Sequence, residues 1–89
     1  MADRIVELEK TLKALANKRR LAIVRYLLVH KHASVTELAS HLKLSIAATS
    51  RHLRQLANAD LVDTEQVSTT VNYSLSKDSG LIAALRLIH

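Results

Sequence analysis

Histidine is the residue type in this sequence best suited to metal or proton chemistry, and the chain contains five. His30 and His32 stand close together, whereas His41, His52 and His89 are widely spaced. No two of them have the i, i+4 spacing that would put a pair of zinc ligands on one helical face. Cysteine is absent, which excludes disulfides, thiolate ligands and a thiol redox switch. The sequence therefore predicts neither a metal site nor another cofactor.

Residue patterns typical of catalysis are also missing. The only glycine is Gly80, so there is no glycine-rich loop to hold a phosphate. No paired carboxylates share a helical face, and the serines and histidines have no triad context. We predict that the protein is not an enzyme.

Binding to a polyanion is the chemistry that the charge distribution favours. The formal net charge is +5. Residues 17–32 carry five basic and no acidic side chains, whereas residues 60–89 carry two basic and four acidic ones. The positive charge thus lies in the first two-thirds of the chain, which suits a nucleic-acid partner.

Apolar positions spaced three and four residues apart predict five helices, at about residues 3–16, 18–29, 35–42, 46–59 and 79–89. Ser34 and Glu37 form the Ser-x-x-Glu pattern of a capping box, and Asn17 and Ser45 are suitable N-caps. Two short helices joined by Lys43 and Leu44 predict a helix-turn-helix at about residues 34–58.

The periodicity changes after the fourth helix. Residues 61–65 and 71–75 nearly alternate between apolar and polar types and are rich in β-branched side chains, with a polar tip at 66–70. We interpret this segment as a two-stranded hairpin, forming a wing at about residues 61–76. The predicted fold is mainly α with a small β-hairpin, a winged helix-turn-helix in a single domain of residues 1–89.

The first and last helices carry more apolar surface than so short a chain can cover. We expect them to form a homodimer through helices at about residues 3–16 and 79–89. The predicted interface residues are Ile5, Leu8, Leu12, Leu81, Leu85 and Ile88.

Several segments resemble the ArsR/SmtB-type winged-helix repressors. They are LKALANKRR at 12–20, VTELASHLKLS at 35–45, SRHLRQLANADLV at 50–62 and VNYSLS at 71–76. The resemblance covers roughly residues 8–76. It implies a homodimer formed by the first and last helices, repression at an inverted-repeat operator and release by an inducer.

The sequence departs from that family at its sensing positions. Ser34 and Thr36 replace the Cys-Val-Cys thiolates that bind metal in many members. For a site on the last helix, the chain offers only Asp78 and His89. Lys43 stands at a turn position that is often glycine, and the wing tip at 67–70 lacks the arginine often found there. We therefore expect no thiolate-bound metal.

The fourth helix is the predicted reading helix. Arg51 is suited to guanine O6 and N7 or to a phosphate, Ser50 to a phosphate or base, and Ala47 or Ala48 to a thymine methyl. The predicted DNA contacts are Ser45, Ala47, Ala48, Ser50, Arg51, His52, Arg54, Thr69 and Thr70. Two interpretations of the basic run at 18–20 remain open: phosphate contact, or a solvated surface.

These features predict a sequence-specific regulator of transcription that binds double-stranded DNA as a homodimeric repressor. The alternative is a protein-interaction module with little or no DNA binding, which the bare wing tip and the apolar residues 46–48 favour. A sensor of an organic ligand is a third possibility, although no residue identifies the inducer. No signal peptide or membrane span is visible, so we expect a soluble, cytoplasmic protein.

Overall fold

The computed structural model describes residues 3–88. His89, a candidate metal ligand and the predicted end of the last helix, lies outside the described residues, as do residues 1–2 of the predicted domain. The elements follow one another as α1 (Arg4–Leu15), α2 (Lys18–His30), β1 (His32–Ser34), α3 (Val35–Leu42), α4 (Ile46–Asn58), β2 (Val62–Val67), β3 (Thr70–Leu75) and α5 (Gly80–Ile88). This is the predicted winged helix-turn-helix order, with one strand in addition.

The sheet has three antiparallel strands in the order β1-β3-β2, whereas the sequence predicts two. Strand β1 pairs Ala33 with Tyr73 and buries Ala33 completely. The hairpin also has longer strands and a shorter turn than the sequence predicts, because the predicted tip at 66–70 is reduced to two residues. Its strands run to Val67 and from Thr70, since Ser68 adopts the positive φ of 59° that a two-residue turn requires. The additional strand joins the wing to the start of α3.

The helix ends confirm the predicted caps. The Asn17 side chain accepts from the backbone N–H groups of Arg19 and Arg20, at 2.9 and 3.1 Å. The capping box at Ser34 and the cap at Ser45 are both formed. Helix α3 ends where Lys43 takes a left-handed conformation, φ 58° and ψ 45°. These local signals fix the turn and hence the angle at which α4 leaves α3.

One apolar core lies between the helices and the sheet. Its largest fully buried side chains are Ile23, Leu27, Leu38, Leu53, Leu56, Leu61, Leu75 and Ile82. Every helix from α2 to α5 contributes at least one of them. Helix α1 buries only Ala14 and Leu15 at its end, so most of its apolar stripe faces solvent.

Candidate nucleic-acid interface

Helix α4 is fixed by a buried inner face made of Thr49, Leu53 and Leu56. Thr49 is the only polar member of that face, and its hydroxyl donates to the Ser45 carbonyl at 2.9 Å. The hydroxyl is therefore satisfied within the helix and adds no penalty for burial. The three buried positions determine which side of α4 is presented to solvent.

The opposite side of α4 carries the predicted DNA-reading residues. Ala47, Arg51 and Arg54 are exposed, while Ala48 and Ser50 are half-buried on its flanks. Their spacing places them on the surface that an α-helix offers to a major groove. The structure thus places Ala47, Arg51 and Arg54 on one accessible helical face.

Two further polar residues share this face and were not predicted as contacts. Gln55 and Asn58 follow Arg51 by four and seven residues and are exposed. Helical spacing from Arg51 could have identified both, because i, i+4 and i+7 positions lie on one face. Their amides add hydrogen-bonding groups toward the C-terminal half of α4.

The N-terminus of α4 has donors suited to an anion. The Ser45 hydroxyl accepts from the Ala48 N–H at 3.0 Å and is therefore engaged as the cap. The first amide groups of a helix have no intrahelical acceptor, and the helix dipole favours negative charge there. Ser45 is exposed at this end, so a phosphate could reach both its hydroxyl and the amides that follow it.

The wing places Thr69 and Thr70 at the tip of the β2–β3 hairpin, where both are exposed. A groove of about 540 Å³ is lined by Thr69 and Thr70 of this tip together with Ser34 and Thr36 at the start of α3. The tip carries no cationic side chain, so it offers hydrogen bonds rather than charge to a DNA backbone.

His52 is half-buried and turned toward α2 rather than lying on the exposed face. Its Nδ1 lies 3.4 Å from the Nη1 of Arg20. Burial, followed by the positive charges of Arg20, Arg19 and Arg51, lowers the pKa of His52 below the usual 6.5. The neutral imidazole is therefore the favoured form in the folded protein.

Arg20 is bound to other parts of the protein. Its Nε donates to the Ala14 carbonyl and its Nη2 to the Lys13 carbonyl, which belong to the last turn of α1. Lys18 and Arg19 from the same basic run are exposed. The run is therefore divided between a structural arginine and two cations that remain accessible.

Other histidines pack against an aromatic ring. The rings of Tyr26 and His30 stack with centroids 4.2 Å apart, and His41 lies 4.8 Å from the same tyrosine. Within residues 3–88 no group of three or more His, Cys, Asp or Glu side chains is placed to hold a metal ion. Ser34, at a sensing position of the resembled family, is engaged in the capping box.

The predicted dimer residues fall into two groups. Ile5, Leu8 and Leu12 line an open apolar groove of about 310 Å³ along α1. Ile88 at the end of α5 is 81% exposed, whereas Leu81 and Leu85 pack partly against the core.

In the part of the chain that the structure describes, no helix is both long and apolar enough to span a membrane.

The chain is similar to known bacterial regulatory proteins in both sequence and structure. Residues 17–64 match the family model described as "Bacterial regulatory protein, arsR family". The chain is 44% identical over 78 residues to the transcriptional activator HlyU of Vibrio cholerae, spanning 88% of this chain and 70% of that protein. The solved structure of HlyU from V. cholerae N16961 superposes with a TM-score of 0.82 at 38% identity, covering 100% of this chain and 98% of that one.

A more distant structure supports the same fold. The winged helix-turn-helix DNA-binding domain Mb0332 of Mycobacterium bovis, described as homodimeric, has a TM-score of 0.82 at 24% identity. The match covers 99% of this chain and 86% of that one. At this identity the likeness concerns the fold alone.

Proposed function

The chain belongs to the arsR family of bacterial regulatory proteins, and we propose that it works as a homodimer that occupies an inverted-repeat operator. As a member it is a transcriptional regulator with a winged helix-turn-helix DNA-binding fold, not an enzyme. Family membership favours DNA binding over the alternative of a protein-interaction module.

The exposed apolar face of α1 is the observation that carries the proposed homodimer. Ile5 is 71% exposed, and it lies with Leu8 and Leu12 along one open groove. Leaving such a stripe in water is unfavourable by about 25 cal/mol for each Å² that a partner could cover. A second copy presenting the same face, together with Ile88 of α5, would cover it symmetrically. The Mb0332 domain, which shares this fold, is described as homodimeric.

A two-fold dimer predicts a two-fold operator. Each α4 would enter a major groove, and the two grooves would lie on one side of the duplex about one helical turn, or ~34 Å, apart. The half-sites should then form an inverted repeat. Random sequence should still bind, although more weakly, through contacts to phosphates alone.

Individual contacts follow from the exposed face of α4 and from the hairpin. We assign base contacts to Arg51, with Ala47 and Ala48 against thymine methyls and Ser50 at a base or phosphate. Arg54 and the α4 N-terminus at Ser45 are assigned to phosphates, and Thr69 and Thr70 to the backbone beside the major groove. His52 is turned toward Arg20, so its contribution to DNA binding is assigned to positioning.

Repression is the regulatory outcome that we propose. A bound dimer occupies the major grooves of its operator and excludes other proteins from that stretch of DNA. HlyU of V. cholerae is named an activator, so the sign of the effect needs a separate measurement. Expression of a reporter whose promoter contains the bound sequence should rise when the gene for this protein is deleted. A fall would establish activation and leave the DNA-binding proposal intact.

Selection of bound sequences from a random duplex library tests the operator directly. The expected result is an inverted repeat, bound by two chains per duplex as measured by native mass spectrometry. An asymmetric selected site bound by a single chain would overturn the homodimeric proposal. Absence of binding to any duplex at about 50 mM salt would overturn DNA binding itself, because the phosphate contribution should be measurable there.

A further inference from the structure

Arg20 joins three elements that are separate in sequence. It lies in the first turn of α2, and its guanidinium reaches the Ala14 and Lys13 carbonyls at the end of α1. It also reaches His52 on α4, 32 residues further along the chain. Its Nε–H donates to the Ala14 carbonyl, and the contacts to Lys13 and His52 are both 3.4 Å. Arg20 therefore fastens the end of α1 to the middle of α4.

The chemistry of this contact fixes the state of His52. A guanidinium has only donors, so Nδ1 of the imidazole has to accept, and its ring proton has to be on Nε2. Charges on two helices oppose a second ring proton: Arg20 and Arg19 belong to α2, and Arg51 to α4 itself. A doubly protonated ring would have no acceptor for Arg20. The hydrogen bond between Arg20 of α2 and His52 of α4 is thus present only while His52 is neutral.

Helices α1 and α4, both of which Arg20 contacts, have different tasks in the proposed homodimer. Helix α1 carries the dimerisation face, and α4 carries Arg51 and Arg54 on either side of His52 in the sequence. Any rocking of α4 against α1 would change the separation between the two reading helices of a dimer. A displacement of about 1 Å is enough to weaken contacts that depend on position.

We propose that Arg20 is a positioning residue for DNA binding: acting through the neutral imidazole of His52, it fixes α4 to the last turn of α1 and so sets the half-site spacing that the dimer recognises. The proposal rests on the homodimeric operator binding proposed above. It makes the contribution of Arg20 geometric, because its side chain is half-buried and held by carbonyl oxygens rather than free to reach a phosphate.

A charge-conserving substitution separates geometry from electrostatics. Arg20→Lys keeps the positive charge but loses the planar group that can serve three acceptors. Arg25→Lys, at an exposed position of the same helix, is the matched control. The probes are the selected inverted repeat, the same repeat with one or two base pairs inserted or removed between its halves, and a random duplex of equal length.

Arg20→Lys should weaken binding to the best-spaced repeat by roughly tenfold, the effect of losing one charge-assisted hydrogen bond, and should flatten the spacing preference. Its affinity for the random duplex should stay within about twofold of the unsubstituted protein, because the phosphate contribution depends on charge. Arg25→Lys should change neither quantity. An unchanged spacing preference in folded Arg20→Lys protein would overturn the inference.

A pair of His52 variants provides a second, independent test if Arg20→Lys folds poorly. His52→Asn offers an acceptor oxygen close to the position of Nδ1 and does not titrate, whereas His52→Leu offers none. The ratio of affinities for the best-spaced and random duplexes should survive in His52→Asn and fall in His52→Leu. In the unsubstituted protein this ratio should decrease as the pH is lowered from about 7 to about 5, and in His52→Asn it should not.

Two results would contradict a role for the Arg20–His52 contact. One is an equal ratio of affinities for the best-spaced and random duplexes in His52→Asn and His52→Leu. The other is the same pH dependence of that ratio in the variants and the unsubstituted protein. Failure of the homodimeric proposal has a different signature. In that case the unsubstituted protein would itself show no preference among the spacings, whatever the state of Arg20.

Discussion

Ser34 and Glu37 hold the start of α3 through two reciprocal hydrogen bonds. The Glu37 N–H donates to Ser34 Oγ at 3.1 Å, and the Ser34 N–H donates to the Glu37 carboxylate at 3.0 Å. Ser34 is also the last residue of β1, where it pairs with Asn72 of the wing. One residue therefore connects the sheet to the helix-turn-helix, and its side chain is engaged in helix capping.

Replacement of Ser34 by alanine tests that connection. Ser34→Ala removes the acceptor for the Glu37 N–H and should lower the free energy of unfolding by about 1 kcal/mol. Ser40→Ala is the control, because Ser40 is exposed within the same helix and caps nothing. Urea unfolding followed by circular dichroism measures both. Equal stability of Ser34→Ala and the unsubstituted protein would show that the capping box contributes nothing.

The homodimeric proposal predicts that a charge on the α1 face separates the subunits. Leu12→Glu should give a monomer, since a carboxylate buried without a partner at an interface is strongly unfavourable. Val29→Glu on α2 is a matched control, because Leu12 is 52% exposed and Val29 is 55% exposed. Sedimentation equilibrium measures the association. A Leu12→Glu dimer as tight as the Val29→Glu dimer would place the interface elsewhere.

Arg51 is the proposed base-reading side chain, and its removal should reduce specificity as well as affinity. Loss of a bidentate guanine contact corresponds to about 1–3 kcal/mol, so Arg51→Ala should weaken operator binding roughly 5- to 150-fold. Binding to random duplex should fall much less. Arg25→Ala removes the same charge from an exposed site on α2. Fluorescence anisotropy measures the affinities of the two variants and of the unsubstituted protein for both duplexes.

Comparable losses on operator and random DNA would assign Arg51 to a phosphate. In that case the slope of log affinity against log salt should become shallower by about one unit. Equal behaviour of Arg51→Ala and Arg25→Ala on both duplexes would remove Arg51 from the interface.

The lowered pKa of His52 makes stability depend on pH. Because folding favours the neutral imidazole, its stabilising contribution is complete above the ordinary pKa of about 6.5 and is lost as the pH falls through the lower value of the folded state. The melting temperature should therefore decrease more between about pH 7 and pH 5 in the unsubstituted protein than in His52→Asn. The remaining histidines are common to both proteins, so their contributions cancel in the difference. An equal decrease of the melting temperature with pH in the two proteins would contradict the lowered pKa of His52.

Local chemistry explains which parts of the fold could be predicted from sequence. The capping box at Ser34, the cap at Ser45 and the buried Thr49, Leu53 and Leu56 depend on residues within a few positions of one another. Their pattern is therefore visible in the sequence. The same spacing predicted which face of α4 is exposed.

Features that depend on distant pairing were missed. Strand β1 has three residues, too few for a periodic pattern, and it forms because β3 offers a free edge. The contact between Arg20 and His52 spans 32 residues, so the basic run at 18–20 gave no sign that one member is structural. The exposed apolar face of α1 was predictable because the spacing of its apolar residues is visible in the sequence of that helix alone.

The left-handed conformation of Lys43 gives a prediction about the turn of the helix-turn-helix. At φ 58° and ψ 45° a Cβ atom crowds the following carbonyl, which is unfavourable by roughly 1–2 kcal/mol. Lys43→Gly removes the strain but adds chain entropy to the unfolded state, about 0.5–1 kcal/mol in the other direction. The free energy of unfolding should therefore rise by about 0.5–1 kcal/mol. Urea unfolding measures the change.

Lys43→Ala is the control that isolates the conformational effect. It removes the same charge and side chain as Lys43→Gly but retains the Cβ atom, so it should give no gain. Lys31, with φ 74° and ψ −50° at the end of α2, offers an independent site where glycine should also stabilise. A gain shared equally by Lys43→Ala and Lys43→Gly would attribute it to the lost charge. The strain at the turn would then be absent, and the turn would be held by its flanking helices alone.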